Sequence, residues 1–108
     1  MSKKISIYYT VCGPKKNAKS LAIKLIKSKK AICVNLIKNV ESFYMEKNKI
    51  KKSNELILII KTMNSKKDIY KFIKKYHSYK IPFITKIENK DVNGDYLFWA
   101  KSKINSIN

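Results

Sequence analysis

One histidine and two cysteines carry the softest ligand chemistry in this 108-residue chain. His77 would present a neutral imidazole, a donor suited to Cu(II) or Zn(II). Cys12 and Cys33 would present thiolates, which suit Cu(I). Each residue also has a plainer use. His77 stands where a helix ought to end, and a charged imidazole is mildly favoured there. A free cysteine packs as a small apolar side chain. Metal ligation by Cys33, His77 and Cys12 is therefore an expectation that depends on the fold. No second histidine exists to complete a site. The two thiols could meet around one Cu(I) across a subunit boundary.

Catalytic chemistry finds less. No nucleophile motif surrounds His77, and the only glycines, Gly13 and Gly94, make no phosphate-cradling loop. Phosphate-ester chemistry on a small α+β fold would want an arginine fork, and the chain has no Arg. The chain is not expected to be an enzyme.

The charge is extreme: 25 basic residues, all Lys, against 7 acidic ones, for a formal +18. Such a surface attracts phosphates. A basic nucleic-acid-binding module is thus the alternative reading, with Tyr8, Tyr9 and Tyr44 as conceivable base-stacking platforms. Three features weigh against a specific site. Arg is absent, the lysines are scattered over every segment, and the aromatic-glycine signature of RNA-binding sheets is missing. Nucleic acid is expected to bind only non-specifically. Lys, Ile and Asn are all over-used, so the lysines read as compositional bias on a solvated surface.

The elements that must position these residues are legible from hydrophobic period. Residues 5–11 alternate as a strand, with Ile5, Ile7, Tyr9 and Val11 on one side, and Gly13-Pro14 ends it. From Lys15 to Lys30, Ala18, Leu21, Ala22, Leu25 and Ile26 recur at helical spacing. A second strand spans 31–37, Lys38-Asn39 reads as a bend, and an extended pattern resumes over 40–45. Lys47-Asn48-Lys49 is a plausible hairpin turn, because Asn tolerates a left-handed backbone. A third strand runs from about Glu55 to Met63. Its run Leu56-Ile57-Leu58-Ile59-Ile60 lacks alternation, as a strand covered on both faces or by a partner subunit would.

Ser65 with Asp68 resembles a capping box opening a second helix, whose apolar stripe is Ile69, Phe72, Ile73 and Tyr76. His77-Ser78-Tyr79 and Pro82 close it. Residues 83–87 form a fourth strand, and Tyr96 to Ile104 a short terminal helix. The order β-α-β-β-α-β plus a helix is the ferredoxin-like, split-βαβ pattern, an α+β fold in one domain over residues 1–108. The start Met1-Ser2-Lys3-Lys4 has no apolar leader pattern, and no apolar run approaches membrane length. Cytoplasm with reduced thiols is the expectation, and no membrane association.

Several stretches then accumulate in a specific order: Ala31-Ile32-Cys33-Val34-Asn35, Ser42-Phe43-Tyr44, Glu55, Lys61-Thr62, His77-x-Tyr79-x-x-Pro82, and Asp95-Tyr96-Leu97-x-Trp99. This series resembles the CutA divalent-cation-tolerance family from about Ile5 to Ile104. The resemblance implies a homotrimer of ferredoxin-like subunits, similar to the PII signalling trimers, whose extended strands cross between neighbours. It implies a link to divalent-cation tolerance, copper binding in some members, and no established reaction. By the same resemblance, Tyr44, Glu55, Lys61, Tyr79 and Trp99 line an inter-subunit cleft, with a Lys61–Glu55 ion pair as one physical possibility. Four positions depart from the family pattern. Glu46 stands for a Trp, Asn48 for a Gly, Ser78 for a Pro, and Phe83 for a Glu that could have served a ligand or metal.

Overall fold

The structure is a computed structural model, and it describes residues 4–105. The chain runs β1 (Ser6–Cys12), α1 (Lys15–Lys27), β2 (Cys33–Glu46), β3 (Lys49–Thr62), α2 (Lys66–Tyr76), β4 (Ile84–Ile87) and α3 (Gly94–Asn105). The four strands form one antiparallel sheet in the order β2-β3-β1-β4. The ferredoxin-like expectation holds.

Alternation decides which side of the sheet carries the core. Tyr8, Thr10, Cys12, Leu56, Leu58 and Ile60 point under α1 and α2 and are buried. They meet Ala18, Leu21, Ala22 and Leu25 of α1 and Ile69 and Ile73 of α2, the apolar stripes read from the helical period. A smaller cluster, Ile5, Met63, Ala100 and Ile104, docks α3 at one end of the sheet. The opposite face carries Ile7, Tyr9, Val11, Ile57 and Ile59, all only partly buried, with neither α1 nor α2 upon it.

Local chemistry explains most boundaries. The Ser65 hydroxyl accepts from the Asp68 amide at 3.2 Å, so the predicted cap opens α2. Lys47 and Asn48 take φ of 51° and 63°. Two successive positive φ values make the two-residue turn whose twist matches an antiparallel hairpin. α1 stops at Lys27 rather than at Lys30, because the chain swings through Lys29 at φ 57° and the amides of Lys30 and Ala31 both return to the Leu25 carbonyl.

The largest correction concerns the hairpin. The bend at Lys38-Asn39 is a bulge inside one continuous 14-residue strand, with Asn39 at φ 60° and the register shifting between Ile37 and Val40. Likewise β3 begins at Lys49, six residues before the predicted start. Polar residues Lys51, Lys52, Ser53 and Asn54 hid that half, because an exposed two-stranded arm needs no apolar alternation. Beyond the helix-covered body the arm leaves Phe43, Met45 and Ile50 exposed at 64%, 65% and 74%.

Candidate functional site

Three consecutive side chains after α2 build the first cluster. The His77 Nε2 lies 2.9 Å from the Val11 carbonyl and 3.2 Å from the Thr10 hydroxyl, while its Nδ1 accepts from the Tyr79 amide at 3.0 Å. A carbonyl can only accept, so Nε2 carries the proton and the ring is neutral. Burial first pushes the imidazole pKa below its usual range, against the opposing effects of the Val11 carbonyl and Glu55. The Ser78 hydroxyl donates to the Gly13 carbonyl at 2.7 Å and lies 3.4 Å from the Cys12 sulfur. The Tyr79 hydroxyl donates to the Glu55 carboxylate in a short hydrogen bond. Burial, then this bond, then the negative charge of Glu55, raise the Tyr79 phenol well above its ordinary value. The Thr10 hydroxyl in turn donates to the Phe83 carbonyl at 2.7 Å.

This cluster needs Gly13 for space. A Cβ there would stand 3.3 Å from the Tyr79 hydroxyl and 3.4 Å from the Asn54 carbonyl. Tyr44 reaches the same region from the arm: its hydroxyl bonds Ser53 at 3.0 Å, and its proximity adds to the shift on Tyr79. Tyr44 and Glu55 share the open side of the hairpin, because Val40 faces Glu55 and Tyr44 faces Lys51. Beside them a cleft of about 610 Å³ is lined by Pro14, Lys15, Lys38, Asn39, Glu41, Asn54, Glu55 and Leu56.

The second cluster lies at the other end of the sheet. The Lys61 ammonium sits over the Tyr96 ring at 5.5 Å, and the Tyr96 and Trp99 rings are 5.3 Å apart. So the five residues expected in one cleft divide within the chain: Tyr44, Glu55 and Tyr79 at the arm base, Lys61 and Trp99 beside α3. Glu55 and Lys61 lie six positions apart on β3, about 20 Å at the strand rise. The Lys61–Glu55 pair is thus not formed inside one chain.

The three metal candidates are also dispersed. His77 spends its only lone pair on the Tyr79 amide. Cys12 is fully buried under the helices. Cys33 is partly buried and pairs with Lys61 on the open face. The two thiols occupy opposite faces, and the register puts them five residues apart along β3, about 17 Å. The expectation of two thiols on one Cu(I) across a boundary fails for Cys12, which has no exposed surface. Among the described residues, no three His, Cys, Asp or Glu side chains cluster as a metal site.

Sequence reasoning missed Thr10, Gly13, Ser78 and Tyr96. Gly13 was visible only as strand punctuation. Tyr96 was visible as a helical apolar position, with no sign that a lysine would lie on its ring. The RNA-binding alternative is not supported. Tyr8 is buried against Tyr70, and Tyr9 packs edge-on against Phe83. Centrally the open face offers Ile57 and Ile59, which give bases no ring to stack on. The lysines are dispersed too: among the described residues they make two ion pairs, Lys30–Asp68 and Lys52–Glu41, and five sit over aromatic rings.

Comparison with known proteins agrees with this architecture. The chain is 38% identical over 100 residues to a rice protein named Protein CutA 1, chloroplastic, spanning 91% of this chain and 55% of that one. It is 29% identical over 104 residues to mouse Protein CutA, spanning 95% and 59%. The chain thus spans a little over half the length of these relatives. It is 33% identical over 94 residues to the divalent-cation tolerance protein CutA of Pyrococcus horikoshii, spanning 86% and 91%. The crystal structure of the divalent ion tolerance protein CutA1 of Ehrlichia chaffeensis superposes with a TM-score of 0.89 at 26% identity, covering 96% of this chain and 98% of that one. Rice CutA1 superposes at 0.85 and 30% identity, covering 98% and 100%. The family model for the CutA1 divalent ion tolerance protein matches residues 6–103, and with the split-βαβ sheet, its long arm and this coverage, the chain belongs to the CutA1 divalent ion tolerance family.

Proposed function

We propose that this chain is a non-catalytic divalent-cation tolerance protein that works as a cytoplasmic homotrimer. The observation that carries the reading is the uncovered sheet face. Ile7, Tyr9, Val11, Ile57 and Ile59 form an apolar layer covered by neither α1 nor α2. The same chain extends an arm with exposed Phe43, Met45 and Ile50. An apolar sheet face of this kind marks an interaction surface, and a ring of identical subunits would use the face of one copy and the arm of the next. The reading requires the arm-base cluster of one copy to approach the α3 cluster of the next, since one chain keeps them apart.

Each copy carries +18, so repulsion opposes assembly, and the buried apolar area must offset it. Size exclusion with light scattering tests the reading. The expected particle has about three times the chain mass of 12.6 kDa at micromolar concentration. A stable monomer there would overturn it. Two free thiols suit a reducing compartment, and cell fractionation that finds the protein outside the cytoplasm would remove that part.

Copper or another divalent cation is the ligand this reading carries, with Cys33 as its thiol donor. Calorimetric titration with Cu(I), Cu(II) and Zn(II) is the test. Cys33→Ala is expected to weaken Cu(I) binding, and His77→Ala to leave it unchanged. Equal Cu(I) binding by the parent and Cys33→Ala would remove Cys33 from the site.

A further inference from the structure

Lys61 is a cation in an apolar place. It extends from the open face of β3, opposite Cys33 on β2 and Ile7 on β1, and the same row ends at Ile87 on β4. No member of that row is acidic. Lys61 is partly buried, and its ammonium lies 5.5 Å over the face of Tyr96. Asp95, one residue away, is engaged: it accepts from the Asn93 amide group at 2.5 Å and from the Tyr96 backbone at 3.0 Å. Among the described residues no carboxylate lies within ion-pair distance of Lys61.

Beside this ammonium lies a pocket of about 160 Å³, walled by Ile5, Ile7, Val92, Asn93 and Tyr96. Apolar cavities of ~150 Å³ admit a benzene-sized molecule. A partly desolvated cation at the mouth of an apolar pocket recognises an anionic head on a short apolar tail. A metal cation would meet repulsion from Lys61 there.

We infer that the Lys61–Tyr96 pocket is a carboxylate-receiving site, taking either a short-chain organic carboxylate or the Glu55 carboxylate of a second copy. Both sources offer the same chemistry, a carboxylate oxygen to the ammonium. The free-ligand source needs only one chain. The Glu55 source rests on the trimer proposed above.

Trp99 reports on the site directly, because it is the only tryptophan and its ring lies 5.3 Å from Tyr96. The experiment titrates the full chain with sodium butyrate replacing sodium chloride at constant ionic strength, reading Trp99 fluorescence. Butyramide and butylammonium serve as uncharged and cationic counterparts. The variants are Lys61→Met, Glu55→Gln and Tyr96→Leu, each checked for fold by circular dichroism and for mass by light scattering.

A saturable butyrate response in the parent, weakened about tenfold or more in Lys61→Met and absent with butyramide, supports the free-ligand source. A response that appears only in Glu55→Gln supports the neighbouring Glu55 as the resident carboxylate. Should Lys61→Met fail to fold, the butyrate–butyramide contrast in the parent and in Tyr96→Leu still decides the matter. No saturable butyrate response in either the parent or Glu55→Gln overturns the inference, as does an equal response to butylammonium. A monomeric particle that still binds butyrate would sink the trimer and leave this site standing.

Discussion

The two faces of the sheet are made from the same kinds of residue and have opposite fates. Leu56, Leu58 and Ile60 are sealed beneath α1 and α2, while Ile57 and Ile59, their neighbours in the chain, remain partly exposed. Both faces being apolar explains why the run 56–60 shows no alternation. The lesson is that a continuous apolar strand reports two coverings, and only one of them is supplied by this chain. The burial of Leu58 makes it a test of folding, and Ile59 is the test of assembly.

Five variants sharpen or break that comparison. Leu58→Ala should cost the largest stability, about 2–5 kcal/mol, because Leu58 is fully buried beneath both helices. Ile59→Lys should cost the isolated fold far less and convert the proposed trimer to monomers. Chemical denaturation and light scattering read the two effects. If Ile59→Lys remained trimeric, the open face would not be the interface.

Thr10→Val should follow, at about 1–3 kcal/mol, since it leaves the Phe83 carbonyl without its 2.7 Å donor in a partly buried setting. Ser65→Ala should remove about 1 kcal/mol by uncapping α2, with no change in particle mass. A mass change in Ser65→Ala would mean that the helix face and the assembly are coupled.

The smallest effect is a pH dependence from His77. Its folded pKa lies below the ordinary 6.5, so the unfolded chain binds the extra proton first. The contribution is fully present above about pH 6.5 and is lost as pH falls through the lower folded value. Protonation at Nδ1 would set a donor against the Tyr79 amide. Denaturation midpoints in the parent should therefore fall on acidification, with a shallower slope in His77→Gln. The single histidine makes its ring titration directly assignable by NMR, and a ring pKa above 6.5 would reverse the prediction.

Much of the fold was legible because period and punctuation agreed. Ser65 with Asp68, the stripe Ile69–Ile73, and Lys47-Asn48 each signalled an element that forms where expected. The arm was half hidden, because residues 49–54 pair through backbone bonds and leave their side chains in water. The site was legible as a set of residues and illegible as an arrangement. Tyr44, Glu55, Tyr79, Lys61 and Trp99 were identified by resemblance, yet they stand in two groups about 20 Å apart. His77 looked like a ligand because residue type carries donor capacity. Its surroundings decide who receives it, and here the Tyr79 amide does.

By itself the sequence determined the order of elements, the stripes that form the core and the turns that reverse the chain. These follow from each residue's own size, polarity and backbone freedom, which act over a few positions. Only the tertiary structure decided that Cys12 is sealed and Cys33 faces outward. It also decided that Gly13 leaves room for Tyr79, and that Lys61 lies on Tyr96. Strand register joins residues tens of positions apart, and a shift of one residue would turn every one of them to the other face.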